Sequence, residues 1–241
     1  MITNRQEDII HKVHLLRILS EIIENPILSQ SLYFIGGTCA SMQNILDRFS
    51  VDLDFDINPK SDEKILRDEF HKIFKKLDYT LSQESQNALE FFLKYKSDPN
   101  QRNTLKIDAL NFQVKSNLYA PIFLPEIGKT VNCQTKETIF ANKLVAVKDR
   151  FDKHKSIACR DLYDIHHFFM IGLSYRSEII IERTNLTPQK YFEYLINFIN
   201  TKITQQLIDQ DLNTLLSINQ FNKVRKILKS ETILFLENEM K

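Results

Sequence analysis

The chain of 241 residues has no tryptophan, only four glycines and only three cysteines. The missing tryptophan carries no functional information. Cys39, Cys133 and Cys159 are odd in number, widely spaced and free of any Cys-x-x-Cys pairing, which excludes a zinc site of that type. Reduced thiols in a cytoplasm account for them most simply. No charge of one sign dominates: the formal net charge is +1, so any nucleic-acid contact has to come from a local patch and not from a global field. No run approaches membrane-spanning length. Asn4, Arg5, Glu7 and Asp8 stand where a signal peptide needs an apolar core, so a cytoplasmic protein with no membrane association is expected. No internal repeat or low-complexity tract is present. What remains is the composition of an ordinary soluble globular protein, long enough for one large domain or two small ones.

Two of the four glycines stand side by side, Gly36-Gly37, after the short apolar run Leu32–Ile35 and before a helix-like segment, Thr38–Leu46. A diglycine turn that opens a helix is a place where backbone N–H groups meet phosphate oxygens. After the Asp47-Arg48 turn comes a strand, Val51–Ile57, on which Asp52, Asp54 and Asp56 share one face. Carboxylates at i and i+2 on a strand are a natural seat for a divalent metal. Taken singly, the glycines read as a plain strand-to-helix turn and the aspartates as the wet face of an edge strand. In this order and at this separation they point to chemistry on a nucleoside triphosphate, with Asp56 past the metals near the strand's end.

Along the rest of the chain, residues 5–24 have helical periodicity in Ile9, Val13, Leu16, Leu19 and Ile23, ended by Pro26. His11 and His14 share a face of it, but no third ligand is near, so they read as solvated surface. Ser61–Leu77 is an amphipathic helix capped by Ser61 or Asp62. Ala88–Tyr95 and Thr104–Phe112 form a hairpin across Ser97-Asp98-Pro99-Asn100. Asp108, flanked by Ile107 and Ala109, must face solvent or meet a partner, because an unpaired buried charge is costly; Glu90 is a weaker acidic candidate nearby. Beyond Pro121, Pro125 and Gly128, with a short strand near Thr130–Cys133, almost everything from Thr135 reads as helix. Thr135–Phe151 carries an apolar stripe of Ile139, Phe140, Ala146 and Val147. Lys143 lies inside that stripe, which requires snorkelling or an anionic partner. On the next helix Asp161, Asp164, Phe168 and Ile171 share a face. First-turn acids are favoured by the helix dipole alone, and Asp161 is equally placed to pair with Lys143. Thr187-Pro188 opens a further helix. Breaks follow near Asp209–Asp211 and Ser217–Asn219. The segment Lys223–Lys229 reads as a basic amphipathic helix, better taken as a solvated face than as an RNA contact.

Gly36-Gly37-Thr38, the run Arg48-Phe49-Ser50-Val51-Asp52-Leu53-Asp54-Phe55-Asp56, Lys143-Leu144-Val145-Ala146 and Arg160-Asp161-Leu162-Tyr163-Asp164 together resemble the AbiEii/AbiGii-type nucleotidyltransferases of the DNA polymerase β-like superfamily, many of them toxins. The match spans residues 34–164, and the last third of the chain carries no motif of that family. Thr38 stands where many superfamily members have serine, as in toxin-type relatives.

The resemblance implies an α+β fold: a nucleotidyltransferase-type mixed sheet flanked by helices (1–120), followed by an all-helical C-terminal region (121–241) that completes the cleft. It implies NMP transfer from an NTP to an acceptor hydroxyl, on RNA such as a tRNA 3′ end or on protein, with pyrophosphate released. A toxin of this kind has a cognate antitoxin. The implied metals are two Mg²⁺, or Mn²⁺ in their place, on Asp52, Asp54 and Asp108. Gly36, Gly37, Thr38, Arg48, Ser50 and Lys143 would bind the nucleotide, and Lys143, Asp161 and Asp164 would join the carboxylates in catalysis. A small-molecule transferase of the aminoglycoside type and a non-catalytic protein-binding member of the fold are the alternatives.

Overall fold

The computed structural model describes residues 6–98, 101–111 and 114–241. Asn4 and Arg5, Pro99 and Asn100 of the expected hairpin turn, and Phe112 at the expected strand end lie outside the described residues. The elements run α1 (Gln6–Glu24), α2 (Pro26–Ser31), β1 (Leu32–Ile35), α3 (Gly36–Met42), β2 (Asp52–Ile57), α4 (Glu63–Lys76), β3 (Thr80–Glu84), β4 (Leu89–Lys94), β5 (Thr104–Leu110), β6 (Tyr119–Leu124) and β7 (Lys129–Gln134). Helices follow: α5 (Lys136–His154), α6 (Cys159–Met170), α7 (Ser177–Thr184), α8 (Pro188–Lys202), α9 (Gln205–Leu212), α10 (Ile218–Val224) and α11 (Leu228–Asn238). They form two compact units, one of residues 1–113 and 119–134, the other of residues 114–118 and 135–241. The β6–β7 hairpin thus belongs with the sheet, not with the helices that a division at residue 120 assigns it to, because β7 pairs in parallel with β1.

The sheet unit is one seven-stranded mixed sheet in the order β3-β4-β5-β2-β1-β7-β6. β2 lies between antiparallel β1 and parallel β5. Alternation along the central strands gives the sheet two unlike faces. Leu53, Phe55, Leu105, Ile107, Phe91 and Phe34 are buried on one face, where Phe70 and Phe74 of α4 reach the Phe91 ring at centroid distances of 5.1 Å. The other face carries the polar residues of the same strands, Asp52 and Asp54 among them.

Several local features depart from the sequence pattern. Pro26 does not simply end a helix: it is the first residue of α2, and Asn25 caps it by accepting from the Ile27 and Leu28 amides at 3.0 and 3.1 Å, a position where proline's missing N–H costs nothing. β3 and β6 are edge strands that the sequence pattern does not reveal. β6 tolerates Pro121 because its outer side has no strand to pair with. On α1 the buried stripe is Leu15, Ile18, Leu19 and Ile22, while Ile9 and Val13 are exposed. His11 is fully buried and not solvated: its Nε2 lies 2.7 Å from the Val51 carbonyl and its Nδ1 2.7 Å from the Tyr95 hydroxyl. His14 meets the Tyr79 hydroxyl at 2.8 Å.

In the helical unit, Phe140 of α5 packs edge-on against Phe168, Phe169 and Tyr175 at 5.2, 4.8 and 5.7 Å. Thr135 caps α5 and Thr187 caps α8, with Pro188 in the first turn. α6 has no cap of its own; instead the Cys159 amide donates to Asp211 Oδ2 at 2.7 Å. Ile171, expected on the inward face of α6, follows its last turn and is exposed. α9 runs unbroken through residues 209–211, and Ser217 with Gln220 forms a capping box that starts α10. Residues 223–229 do not form one basic helix. α10 ends at Val224 and α11 begins at Leu228. Arg225 pairs with Asp209, and Lys229 donates to the Asn200 and Ile203 carbonyls at 3.0 and 2.9 Å. Among the described residues no helix is long and apolar enough to cross a membrane.

Burial lowers the His11 pKa from 6.5 to about 4, against the opposing effect of its hydrogen bond to the Val51 carbonyl. The unfolded chain therefore binds the extra proton more readily between those values. The stability this provides is complete above pH 6.5 and is lost as the pH falls toward 4, to the extent of about 3 kcal/mol. Urea midpoints taken from pH 7.5 to 4.5 should fall in that window, and His11→Gln should flatten most of the slope.

Candidate active site

The turn from β1 into α3 is built around one close approach. Gly36 has φ +77°, the left-handed region, and a Cβ there would overlap Asp54 Oδ2 and stand 3.1 Å from the Asp54 Cβ and Cγ. Only a residue without a side chain lets the backbone rest on that carboxylate. A Cβ on Gly37 would press on the Arg48 Nη2 and the Ser50 Oγ, each at 3.0 Å. Arg48 is itself buried and donates from Nη1 to the Phe49 carbonyl at 3.0 Å. The Thr38 hydroxyl donates to the Asp52 carbonyl at 2.5 Å, tying α3 to the first residue of β2. Gly36, Gly37, Thr38, Arg48, Ser50, Asp52 and Asp54 thus form one contiguous patch.

The sheet register adds the third carboxylate. On parallel β2 and β5, Asp52 pairs with Lys106 and Asp54 with Asp108; on antiparallel β4 and β5, Asp108 pairs with Glu90. All of these side chains lie on the polar face. Asp108 has a partner: Lys106 Nζ stands 3.0 Å from its Oδ2 and 2.7 Å from Glu90 Oε1, and 5.7 Å from the centre of the Phe92 ring. Partial burial works against the Lys106 charge, but the bonds to Glu90 and Asp108 outweigh it and raise its pKa. Asp56 is buried at the far end of the row, accepting from Tyr119 Oη at 2.7 Å and Gln134 Nε2 at 3.0 Å. It is a structural acceptor.

Asp52, Asp54 and Asp108 offer carboxylate oxygens, the donors that Mg²⁺ prefers, so the donor set fits that ion. Among the described residues no three His, Cys, Asp or Glu side chains form a ready-made metal cage. Magnesium seldom uses one; it binds through one or two carboxylates together with substrate phosphates.

In the helical unit, Lys143 lies between Asp161 Oδ1 at 2.8 Å and Asp164 Oδ2 at 2.9 Å. Both acids are buried, and Arg150 Nη2 approaches Asp161 Oδ2 at 3.3 Å. This explains a lysine on an apolar stripe: its anionic partners come from the next helix. Burial disfavours the Asp161 charge, but Lys143 and Arg150 overcome it and hold its pKa at about 2. Asp161 and Asp164 therefore hold the Lys143 ammonium in place. The side chain that sequence reasoning passed over is Lys106, whose i,i+2 spacing from Asp108 on an alternating strand was the available signal.

Residues 17–217 match the family described as nucleotidyl transferase AbiEii toxin, Type IV TA system. No curated protein matches the sequence. Solved structures with the same fold include the following three. One protein from Helicobacter pylori superposes with a TM-score of 0.62 at 17% identity, covering 98% of this chain and 96% of its own. JHP933, also from Helicobacter pylori, gives 0.58 at 17% identity, with 98% and 94% covered. MenT4, a nucleotidyltransferase toxin from Mycobacterium tuberculosis, gives 0.52 at 14% identity, with 97% and 86% covered.

Two stability measurements check this geometry. Gly36 and Gly128 both have positive φ, but nothing stands within 4 Å of a Cβ on Gly128. Gly36→Ala should therefore cost about 1–3 kcal/mol more in urea unfolding than Gly128→Ala, the difference being the clash with Asp54. Asp161→Asn should cost about 3 kcal/mol, since it leaves a buried ion group without one partner. The contribution of Asp161 is complete above the ordinary carboxyl pKa of 3.8 and is lost as the pH falls toward 2. The wild type should lose it in that window, and Asp161→Asn should not.

Proposed function

The chain belongs to the AbiEii family of nucleotidyltransferase toxins, and we propose that it transfers NMP from an NTP to a hydroxyl of RNA, such as a tRNA 3′ end, or of a protein, with Mg²⁺ as cofactor. The observation that carries this reading is the Gly36 backbone resting on Asp54, directly opposite Asp108 on the neighbouring strand. It joins a phosphate-binding turn and a carboxylate seat in one patch.

In this reading the backbone amides at the start of α3 hold the outer phosphates. Asp52, Asp54 and Asp108 would hold Mg²⁺ through their carboxylate oxygens, on the same face as the turn that meets the phosphates. Asp108 accepts the hydrogen bond of the acceptor hydroxyl and lowers the cost of its proton loss. A bond forms between the acceptor oxygen and the α-phosphorus as the bond to the β-phosphate oxygen breaks, and pyrophosphate leaves. When bound, Mg²⁺ supplies positive charge to both the attacking and the leaving oxygen. For Lys143 the local chemistry, an ammonium fixed by two buried carboxylates, suits a group that meets phosphate charge. Growth arrest relieved by a cognate antitoxin is the corresponding cellular role.

Purified protein incubated with Mg²⁺, labelled NTPs and bacterial RNA or protein extract should label one of the two. Asp54→Asn should lower the labelling at least about 100-fold, the scale expected for loss of charge stabilisation at the reacting phosphate. Labelling that survives Asp54→Asn would remove Asp54 from the site.

A further inference from the structure

Lys106 occupies an unusual place for a cation. Its ammonium lies within hydrogen-bonding distance of Asp108 and Glu90, and its Cα pairs with Asp52, two residues along from the Asp54–Asp108 pair. On an alternating strand it shares the face of those carboxylates. The ammonium thus takes up the negative charge of one of the three acids to which the proposed function assigns the metal. A positive charge fixed that close opposes the entry of a second cation, and at this range the repulsion is weakened by solvent but not abolished. A triphosphate changes the balance. Its negative charges compensate Lys106 and draw its flexible side chain away from Asp108, whose carboxylate is then open to the metal.

We propose that Lys106 makes divalent-metal binding conditional on the nucleotide, acting as a built-in cation on Asp108 until the triphosphate arrives. The proposal rests on the carboxylate site described above. The partners of Lys106 suit exchange: the Asp108 and Glu90 side chains are 19% and 33% exposed, so the ammonium can leave them without stranding a fully buried charge. Lys106 is a positioning residue in this scheme. It sets the order in which the site fills and takes no part in bond making.

The test is Mn²⁺ binding to the full chain, read from the EPR signal of the free ion, with and without a non-hydrolysable NTP analogue and with allowance for Mn²⁺ held by the analogue in solution. In the wild type the analogue should tighten Mn²⁺ binding about tenfold or more. Lys106→Met should bind Mn²⁺ about tenfold more tightly than wild type without the analogue and gain little from adding it. Lys106→Arg, which keeps the charge, should retain the wild-type dependence. A lysine that served only to hold the strands together would alter unfolding but leave the ratio of the two affinities unchanged. Equal ratios in wild type and Lys106→Met overturn the proposal, and Asp54→Asn shows which idea has failed. If Asp54→Asn abolishes Mn²⁺ binding while the ratios stay equal, the site stands and the role of Lys106 falls. If Asp54→Asn binds Mn²⁺ as the wild type does, the carboxylate site falls and the proposal falls with it.

Discussion

Asp54 and Asp108 stand directly opposite each other on adjacent parallel strands, and like charges in that relation repel. At about 5 Å and an effective dielectric of about 20, the repulsion is about 3 kcal/mol, a sizeable fraction of the stability of a small domain. No packing argument favours such a pair on a sheet with an otherwise apolar core, and the proposed function gives it a reason to be there. The surroundings answer the repulsion locally. Lys106 takes Asp108, the backbone of Gly36 lies against Asp54, and the other face of the same strands anchors the register through Phe55, Ile107 and Phe91.

The helical unit repeats the motif of one ammonium between two carboxylates, with the opposite exposure. Lys143 is held by Asp161 and Asp164, which are 1% and 0% exposed; Lys106 is held by Glu90 and Asp108, which reach solvent. A buried pair is costly to break because it strands a charge, whereas a partly wet one exchanges partners at little cost. The first arrangement keeps a cation in one place. The second lets a cation be replaced.

Much of this was legible in the residues. Adjacent glycines before a helix and aspartates at i,i+2 located the patch, and a lysine on an apolar stripe announced an acidic partner. The hairpin of β4 and β5 followed from alternation, and the mixed sheet from the family resemblance. What escaped depended on tertiary context. His11 looks like surface on a helical wheel and becomes core because Val51 and Tyr95, distant in sequence, supply its hydrogen bonds. β3 and β6 are edge strands whose polar or proline-bearing sequences are strands only because a neighbour offers a ladder. The start of α6 depends on Asp211, about fifty residues away. Asp56 shows the reverse: its likeness to Asp52 and Asp54 was visible, but Tyr119 and Gln134, which make it an acceptor, were not.

Connectivity carries a consequence for inheritance. Residues 114–118 belong to the helical unit and residues 119–134 return to the sheet before the chain leaves it again at 135. A single recombination event at residue 113 would carry the β6–β7 hairpin away with the helices, and one at residue 134 would leave five residues of the helical unit behind. The chain passes between the units at three junctions, 113/114, 118/119 and 134/135, so exchanging either unit whole takes three crossovers. Substitutions within each unit, which need no crossover, are then the simpler route by which such a chain changes.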